Sequence, residues 1–374
     1  VKIVLTGGGS GGHFYPLISV AENLREITKK EKFLSPVIYY LAPEPYDERA
    51  LFDNEIIFKK NISGKKRIYF SFRNFFDFFK IFLGVLTAFW QIFMIFPDVI
   101  FAKGGYASFP VLLAARFFGI PVIIHESDSM PGRVNLWAGK FAQRIGVSFP
   151  EAVKFFPEEK TVLTGNPIRK ELLTPAGEGA KEFLNLEENL PIIFILGGSQ
   201  GAEKINNVIL EALEVLVQKY QIIHQTGPNN IGYVRGTAKV ILGENFTARY
   251  KPFAYLDDLA MKMSAGAASL VISRAGSVLF EIANWGLPSI LIPIPESISR
   301  DQRKNAFSYA SRTGAVVIEE ENLSPNLLIS EIERILSNPA LMKEMSRKAG
   351  NFSSNDAGRK IAREVLRLGL EHES

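Results

Sequence analysis

The sequence predicts an α/β protein made of two Rossmann-like, doubly wound domains in tandem. Three observations predict it. A strand, a glycine turn and a helix open the chain; the same unit recurs half a chain later; and the remaining apolar runs are short and separated by helical stretches. In the first unit, Lys2-Ile3-Val4-Leu5-Thr6 leads into Gly7-Gly8-Gly9-Ser10-Gly11-Gly12-His13. Apolar Leu17, Val20, Ala21, Leu24 and Ile27 then recur three and four apart, as on one face of a helix. In the second, Ile192-Ile193-Phe194-Ile195-Leu196 leads into Gly197-Gly198-Ser199-Gln200-Gly201-Ala202, followed by Ile205, Val208, Ile209, Ala212, Leu213 and Leu216.

Further strands are expected at 37–41, 99–102, 122–125, 222–224, 270–273 and 289–292. They are apolar on both faces, as parallel strands covered by helices should be. The interruption at Gly165-Asn166-Pro167 places the division between domains at 164/165, giving 1–164 and 165–349. An amphipathic closing helix within 350–374 is free to pack on either domain.

The bulk numbers fit this plan. A chain of 374 residues suits two domains of about 150–200 residues each. With 47% hydrophobic and 22% charged residues, it is neither disordered nor fibrous. The net charge of +4 is too small to argue for a nucleic-acid partner, and none is expected. The absence of cysteine excludes disulfides, thiolate metal sites and thiol catalysis, and fits a reducing compartment. The opening residues run straight into a strand and give no sign of a secretory leader.

Glycine turns let backbone N–H groups approach a phosphate or sugar, with the partial positive charge of a helix N-terminus behind them. Tight turns also use glycine for steric reasons alone. Neither turn ends in the Lys-Ser/Thr of a P-loop, which disfavours ATP hydrolysis. No acidic residue closes the second strand where a dinucleotide ribose would be held. His13 stands where the first turn becomes helix, suited to general-base or hydrogen-bonding work, or to capping the helix. Glu281 follows Ser273-Arg274-Ala275-Gly276 and either accepts from ribose hydroxyls or stabilises a helix N-terminus. Gln302 and Asn305 share one helix face, suited to sugar hydroxyls or simply to the surface.

Taken in order, these pieces resemble the MurG family. The resemblance runs nearly end to end. It includes Gly7 to His13, Lys103-Gly104-Gly105-Tyr106-Ala107-Ser108, and His125-Glu126-Ser127-Asp128 with Pro131-Gly132 and Asn135. It continues through Gly165-Asn166-Pro167-Ile168-Arg169, Gly197 to Ala202, Ser273 to Gly276, and Asp301-Gln302 with Asn305-Ala306. The resemblance implies a GT-B fold, two Rossmann-like domains facing a central cleft. It implies inverting transfer of N-acetylglucosamine from UDP-N-acetylglucosamine to undecaprenyl-diphosphate-linked muramyl pentapeptide in peptidoglycan synthesis. No metal and no cofactor are implied.

The family pattern places Ser10, Gly11 and Gly12 by the donor sugar and diphosphates, and Arg169 and Ser199 on the donor's nucleotide or diphosphate. It places a backbone contact to uracil at Leu256, ribose at Glu281 and the sugar hydroxyls at Gln302. His13 becomes a candidate base, Glu126 a catalytic candidate, and Tyr106 and Asn305 lie at or near the cleft. This chain departs from the pattern twice. Ser127-Asp128 stands where many relatives have Gln-Asn, so an amide that contacts donor is replaced by an acid. The interval from Gly276 to Glu281 is one residue short, which turns Glu281 by about 100° around a helix unless the turn compensates.

Lys65-Lys66-Arg67 precedes an unusually aromatic stretch. Residues 85–95 read as a buried helix covering the first sheet. The part with Phe75, Phe76 and Phe79 reads as a patch that dips into an anionic membrane surface beside the basic triplet, as in MurG relatives. The expected location is peripheral, on the cytoplasmic side of the cell inner membrane. Other readings are a UDP-N-acetylglucosamine 2-epimerase, which shares the architecture, a transferase acting on a different lipid, and a non-catalytic nucleotide-sugar-binding subunit.

Overall fold

The computed structural model describes residues 1–64, 73–198, 201–299 and 301–373, of which 73–80 and 373 as backbone only. The chain divides into two compact units. One comprises Val1–Arg169 with Ser354–Ser374, the other Lys170–Ser353. The crossing thus falls five residues after the 164/165 division read from the sequence. Local packing accounts for it: the Ile168 carbonyl accepts from Ser19 Oγ at 2.6 Å, and Gly165 lies against Ser354.

Among the described residues, the first unit holds β1 (Lys2–Thr6), β2 (Val37–Ala42), β3 (Ile57–Lys60), β4 (Val99–Ala102), β5 (Val122–Glu126), β6 (Arg144–Val147) and β7 (Thr161–Leu163). They form one parallel sheet in the order β3-β2-β1-β4-β5-β6-β7. The second holds β8 (Ile192–Leu196), β9 (Gln221–Gln225), β10 (Tyr250–Phe253), β11 (Leu270–Ser273), β12 (Ser289–Leu291) and β13 (Val316–Val317), ordered β10-β9-β8-β11-β12-β13. Both are the doubly wound Rossmann order, so each sheet has a topological switch point, between β1 and β4 and between β8 and β11. Ligands of such sheets bind beyond the carboxyl ends of the strands at that point.

The central strands are buried on both faces. In the first unit Ile3 and Leu5 pack with Phe14, Leu17 and Leu24 of the helix Gly11–Glu31, and with Ile361, Val365 and Leu366 of the closing helix Ala357–Glu373. On the opposite face Val4 and Ile100 meet Ala88, Ile92, Val111 and Leu112. In the second unit Ile193 and Ile195 pack on Ile205, Ile209 and Leu213 of the helix Glu203–Lys219.

One expectation needs correction. The helix Arg73–Ile95 does cover the first sheet, but within 85–95 only Ala88, Ile92 and Ile95 do so from buried positions. Leu86, Trp90, Phe93 and Met94 are more than half exposed. The helix is two-faced because its apolar residues continue around the whole cylinder, whereas one sheet can cover only one side. At Gly84 the helix passes close to the segment after β3: a Cβ there would lie 1.8 Å from the Ile62 carbonyl oxygen. Among the described residues, no helix is long and apolar enough to cross a membrane.

Candidate active site

At the first switch point, β1 ends in Gly7 and the chain turns through Gly9, whose φ of +93° suits glycine. Ser10, in extended conformation, is the N-cap of the first long helix. Its carbonyl accepts from the His13 and Phe14 amides, and its Oγ lies 3.0 Å from His13 Nδ1. This contact positions the ring. When Nδ1–H donates to the hydroxyl, Nε2 is left with a lone pair. A Cβ on Gly105 would stand 3.7 Å from that Nε2, so the glycine keeps the imidazole's outer edge clear. Tyr106 lies against Gly9, and Gly11 against the Tyr46 hydroxyl and the Tyr15 ring. Ser10, Gly11, His13 and Tyr106 are therefore brought together, with Gly12 in the first helical turn beside them.

The carboxyl end of β5 supplies the next group. Glu126 is buried, with Oε1 accepting from the Asp128 amide at 2.9 Å and Oε2 from the Gly132 amide and Asn135 Nδ2, each at 2.9 Å. These bonds make Glu126 the frame of the turn that carries Asp128. Burial, followed by the neighbouring Asp128 charge, pushes the Glu126 carboxyl up to about 7, against the pull of its three donors.

Below the turn lies a cluster that the motifs did not single out as functional. Lys103, at the end of β4, is 1% exposed. Its Nζ donates to His125 Nδ1 at 2.6 Å, to Ser127 Oγ, and to Asn166 Oδ1 at 3.2 Å. His125 Nε2 lies 2.9 Å from the Gly165 carbonyl, which can only accept, so the proton is on Nε2 and Nδ1 receives the lysine. Burial, then the adjacent Lys103 charge, holds both His125 and His13 below the ordinary histidine value; Asp128 opposes this at His13. Burial also brings Lys103 down to about 7, opposed by Glu126 and then Asp128. The imidazole of His13 is therefore neutral, as a base must be.

Arg169 ends the first unit. Its guanidinium carbon stands 3.6 Å from the Tyr15 ring centre, a close cation–π stack, while the Tyr15 hydroxyl donates to Asp47 at 3.2 Å.

At the second switch point the glycine turn is pinned at Gly201, with φ of +81° and room for a Cβ only 2.0 Å from the Thr226 carbonyl. Ser199 lies outside the described residues. Gln225, at the end of β9, donates to the Gly198 carbonyl at 3.0 Å and accepts from the Leu256 amide at 3.1 Å. It thereby ties the glycine turn to the buried Leu256, a connection the sequence did not signal. Glu281 falls in the first turn of the helix Val278–Trp285. Gln302 stands beside Gly276 and accepts from the Ile294 amide at 3.3 Å. Asn305 is buried and donates to the Ala275 carbonyl at 3.4 Å, holding the turn after β11 from below.

Comparison with known proteins decides the family. Residues 3–147 match the glycosyltransferase family 28 N-terminal domain and residues 192–361 its C-terminal domain. A Clostridium kluyveri protein named UDP-N-acetylglucosamine–N-acetylmuramyl-(pentapeptide) pyrophosphoryl-undecaprenol N-acetylglucosamine transferase is 36% identical, over 95% of this chain and 97% of its own. A Bacillus thuringiensis protein of the same name, numbered 2, is 38% identical over 93% and 95%. The chain belongs to the MurG family of glycosyltransferases.

The solved MurG of Acinetobacter baumannii shares the fold, with a TM-score of 0.73 at 24% identity over 98% of this chain and 99% of that one. A Listeria monocytogenes structure described as a putative UDP-N-acetylglucosamine 2-epimerase also scores 0.73, at 15% identity over 100% and 97%. Fold alone therefore does not separate MurG from the epimerases; the sequence relatives do.

Proposed function

We propose that this MurG-family chain transfers N-acetylglucosamine, with inversion, from UDP-N-acetylglucosamine to the muramyl 4-hydroxyl of undecaprenyl-diphosphate-linked muramyl pentapeptide. End-to-end identity of more than a third to transferases of that name carries the reading. The local chemistry supports it. His13, held by Ser10 and kept neutral, takes the acceptor proton on Nε2 as the hydroxyl oxygen bonds to the anomeric carbon. The bond from that carbon to the diphosphate oxygen breaks, and UDP leaves with the electron pair. Arg169 and the amides of the glycine turns stabilise the departing charge. Ser199, Leu256, Glu281 and Gln302 bind the donor, while Glu126 and Asn305 hold the turns that carry Asp128 and Ala275.

The test is a transfer assay with radiolabelled UDP-N-acetylglucosamine and a short-chain polyprenyl-diphosphate muramyl peptide. Labelled disaccharide-lipid is expected. Epimerised UDP-sugar formed without acceptor would replace this reading with the epimerase one.

The same reading makes the protein peripheral at an anionic membrane surface. Phe82, Leu86, Trp90 and Phe93 recur every three or four residues on the open face of their helix, with Phe117 of the neighbouring helix exposed close by. This extends the patch expected at Phe75, Phe76 and Phe79 with Lys65, Lys66 and Arg67. The basic triplet lies outside the described residues, and the three phenylalanine side chains are likewise undescribed. Replacing Leu86, Trp90 and Phe93 with serine should abolish flotation with anionic liposomes; undiminished flotation would remove this face from the proposal.

A further inference from the structure

Arg274, in the Ser273-Arg274-Ala275-Gly276 turn after β11, has no part in the mechanism above. The turn is tied down along its length. Ser273 Oγ donates to the Leu196 carbonyl at 3.3 Å, and the Ser273 carbonyl accepts from the Ile292 amide at 2.8 Å. Asn305 donates to the Ala275 carbonyl at 3.4 Å. The Arg274 guanidinium reaches across to the segment that follows β12. Its Nη1 donates to the Ile292 carbonyl at 3.1 Å and to the Pro293 carbonyl at 3.4 Å, and its Nη2 forms an ion pair with Glu320. The arginine side chain is 13% exposed and the glutamate 20%. Its charge is thus already answered and its fork already occupied, which argues against direct duty on the departing diphosphate.

The arginine's grip has a consequence one residue further on. The next amide after the two held carbonyls, that of Ile294, donates to Gln302 Oε1 at 3.3 Å. A backbone N–H can donate only to the oxygen of a side-chain amide, so this bond settles which way Gln302 faces. Its Nε2 is turned towards Gly276, 3.8 Å from where a Cβ would stand. Among the described residues, no other atom beyond the glycine's chain neighbours comes within 4 Å of that place. Gln302 therefore presents its N–H groups to the open space beside Gly276, while its oxygen is engaged by the chain. We infer that Arg274, anchored by Glu320, is a positioning residue for recognition of the donor sugar. By fixing the Ile292 and Pro293 carbonyls it sets the Ile294 amide, which holds Gln302 as a hydrogen-bond donor to the sugar's oxygens. Every link lies within the second unit. The inference rests on the proposed function for the place of the sugar.

The test is a double-mutant cycle with Arg274→Met and Gln302→Ala in the full-length chain, read by calorimetric binding of UDP-N-acetylglucosamine and of UDP. Each single variant should weaken UDP-N-acetylglucosamine about tenfold, the loss of one oriented hydrogen bond, and leave UDP within about twofold of wild type. In the Gln302→Ala background, Arg274→Met should add less than about twofold, since the side chain it positions is gone. Losses that multiply overturn the proposal, because they mark a direct contact or general destabilisation. An equal loss of UDP affinity overturns it too, by placing the effect on the nucleotide. Where Arg274→Met fails to fold, Glu320→Gln, which weakens the anchor of the guanidinium, replaces it in the same cycle.

Two further variants test the polarity. Arg274→Lys keeps the charge without the planar fork and should not restore affinity; full rescue would overturn the positioning role. Gln302→Glu keeps an oxygen for the Ile294 amide but has no N–H at neutral pH, so it should bind UDP-N-acetylglucosamine no better than Gln302→Ala. Wild-type affinity in Gln302→Glu would refute the donor role. The binding readout also separates this inference from the transferase one. A wild-type chain that binds the UDP-sugar but transfers nothing defeats the transferase reading and leaves the cycle to decide the positioning. One with no affinity for the UDP-sugar overturns both.

Discussion

Acidification should weaken the second unit through one residue, His224. It sits in β9, fully buried, with Nδ1 2.8 Å from the Tyr250 hydroxyl and no hydrogen-bond partner at Nε2 among the described residues. Burial depresses its value from the ordinary 6.5 to about 3. The folded imidazole thus stays neutral while the unfolded one takes a proton below pH 6.5. Stability is fully present above pH 6.5 and is lost as pH falls towards 3. Each pH unit in that window costs up to about 1.4 kcal/mol, so moving from pH 7 to pH 5 removes about 2 kcal/mol. With an m-value near 2 kcal/mol per molar, the urea midpoint should drop by about 1 M. Trp285 lies in this unit, so its fluorescence in a Trp90→Phe/Trp137→Phe background reports the transition. In His224→Gln, which keeps a hydrogen bond to Tyr250 but does not titrate, the acid-induced drop should be smaller by that amount. Equal drops with and without His224 would refute the reasoning.

His13→Ala should lower kcat about 10²–10⁴-fold with little change in thermal stability. Because burial and Lys103 hold the His13 value down, the wild-type rate should persist below pH 6.5 and fall only as pH drops through that lowered value. A loss under tenfold, measured at saturating substrates, removes His13 as the base. Asn135→Ala takes one donor from the Glu126 frame and should cost about 2 kcal/mol, since it leaves a buried carboxyl oxygen short of a hydrogen-bond partner. Calorimetry should then show a Tm lower by about 4–8 °C for a unit of this size, and a change below 1 °C would show that the bond contributes nothing.

The two doubly wound cores were legible in the sequence because their central strands are buried on both faces and read as unbroken apolar runs beside glycine turns. The margins were not. β3 and β7 are sheet-edge strands, largely exposed along Ile57–Lys60 and Thr161–Leu163, and so lack that run. Ser10 and His13 could be placed because both lie within one turn of the same helix start. Lys103 and Gln225 could not, because their partners lie across loops and nothing local separates a buried lysine from a surface one. Residues 85–95 show the limit of composition. The aromatic content was evident, but which side of the cylinder met the sheet was not, because large apolar residues occupy the exposed side as well as the covered one.

The closing helix Ala357–Glu373 supplies Ile361, Val365 and Leu366 to the core of the first unit, beside Leu17 and Leu24. The first unit is therefore completed by a helix made only after the whole of the second. At about 5–20 residues per second, the ribosome takes roughly 10–40 s to travel from residue 169 to the helix that begins at Ala357. Throughout that interval a greasy face of the nascent first lobe has no cover, which makes it a natural client for chaperones and a poor candidate for expression as residues 1–169 alone.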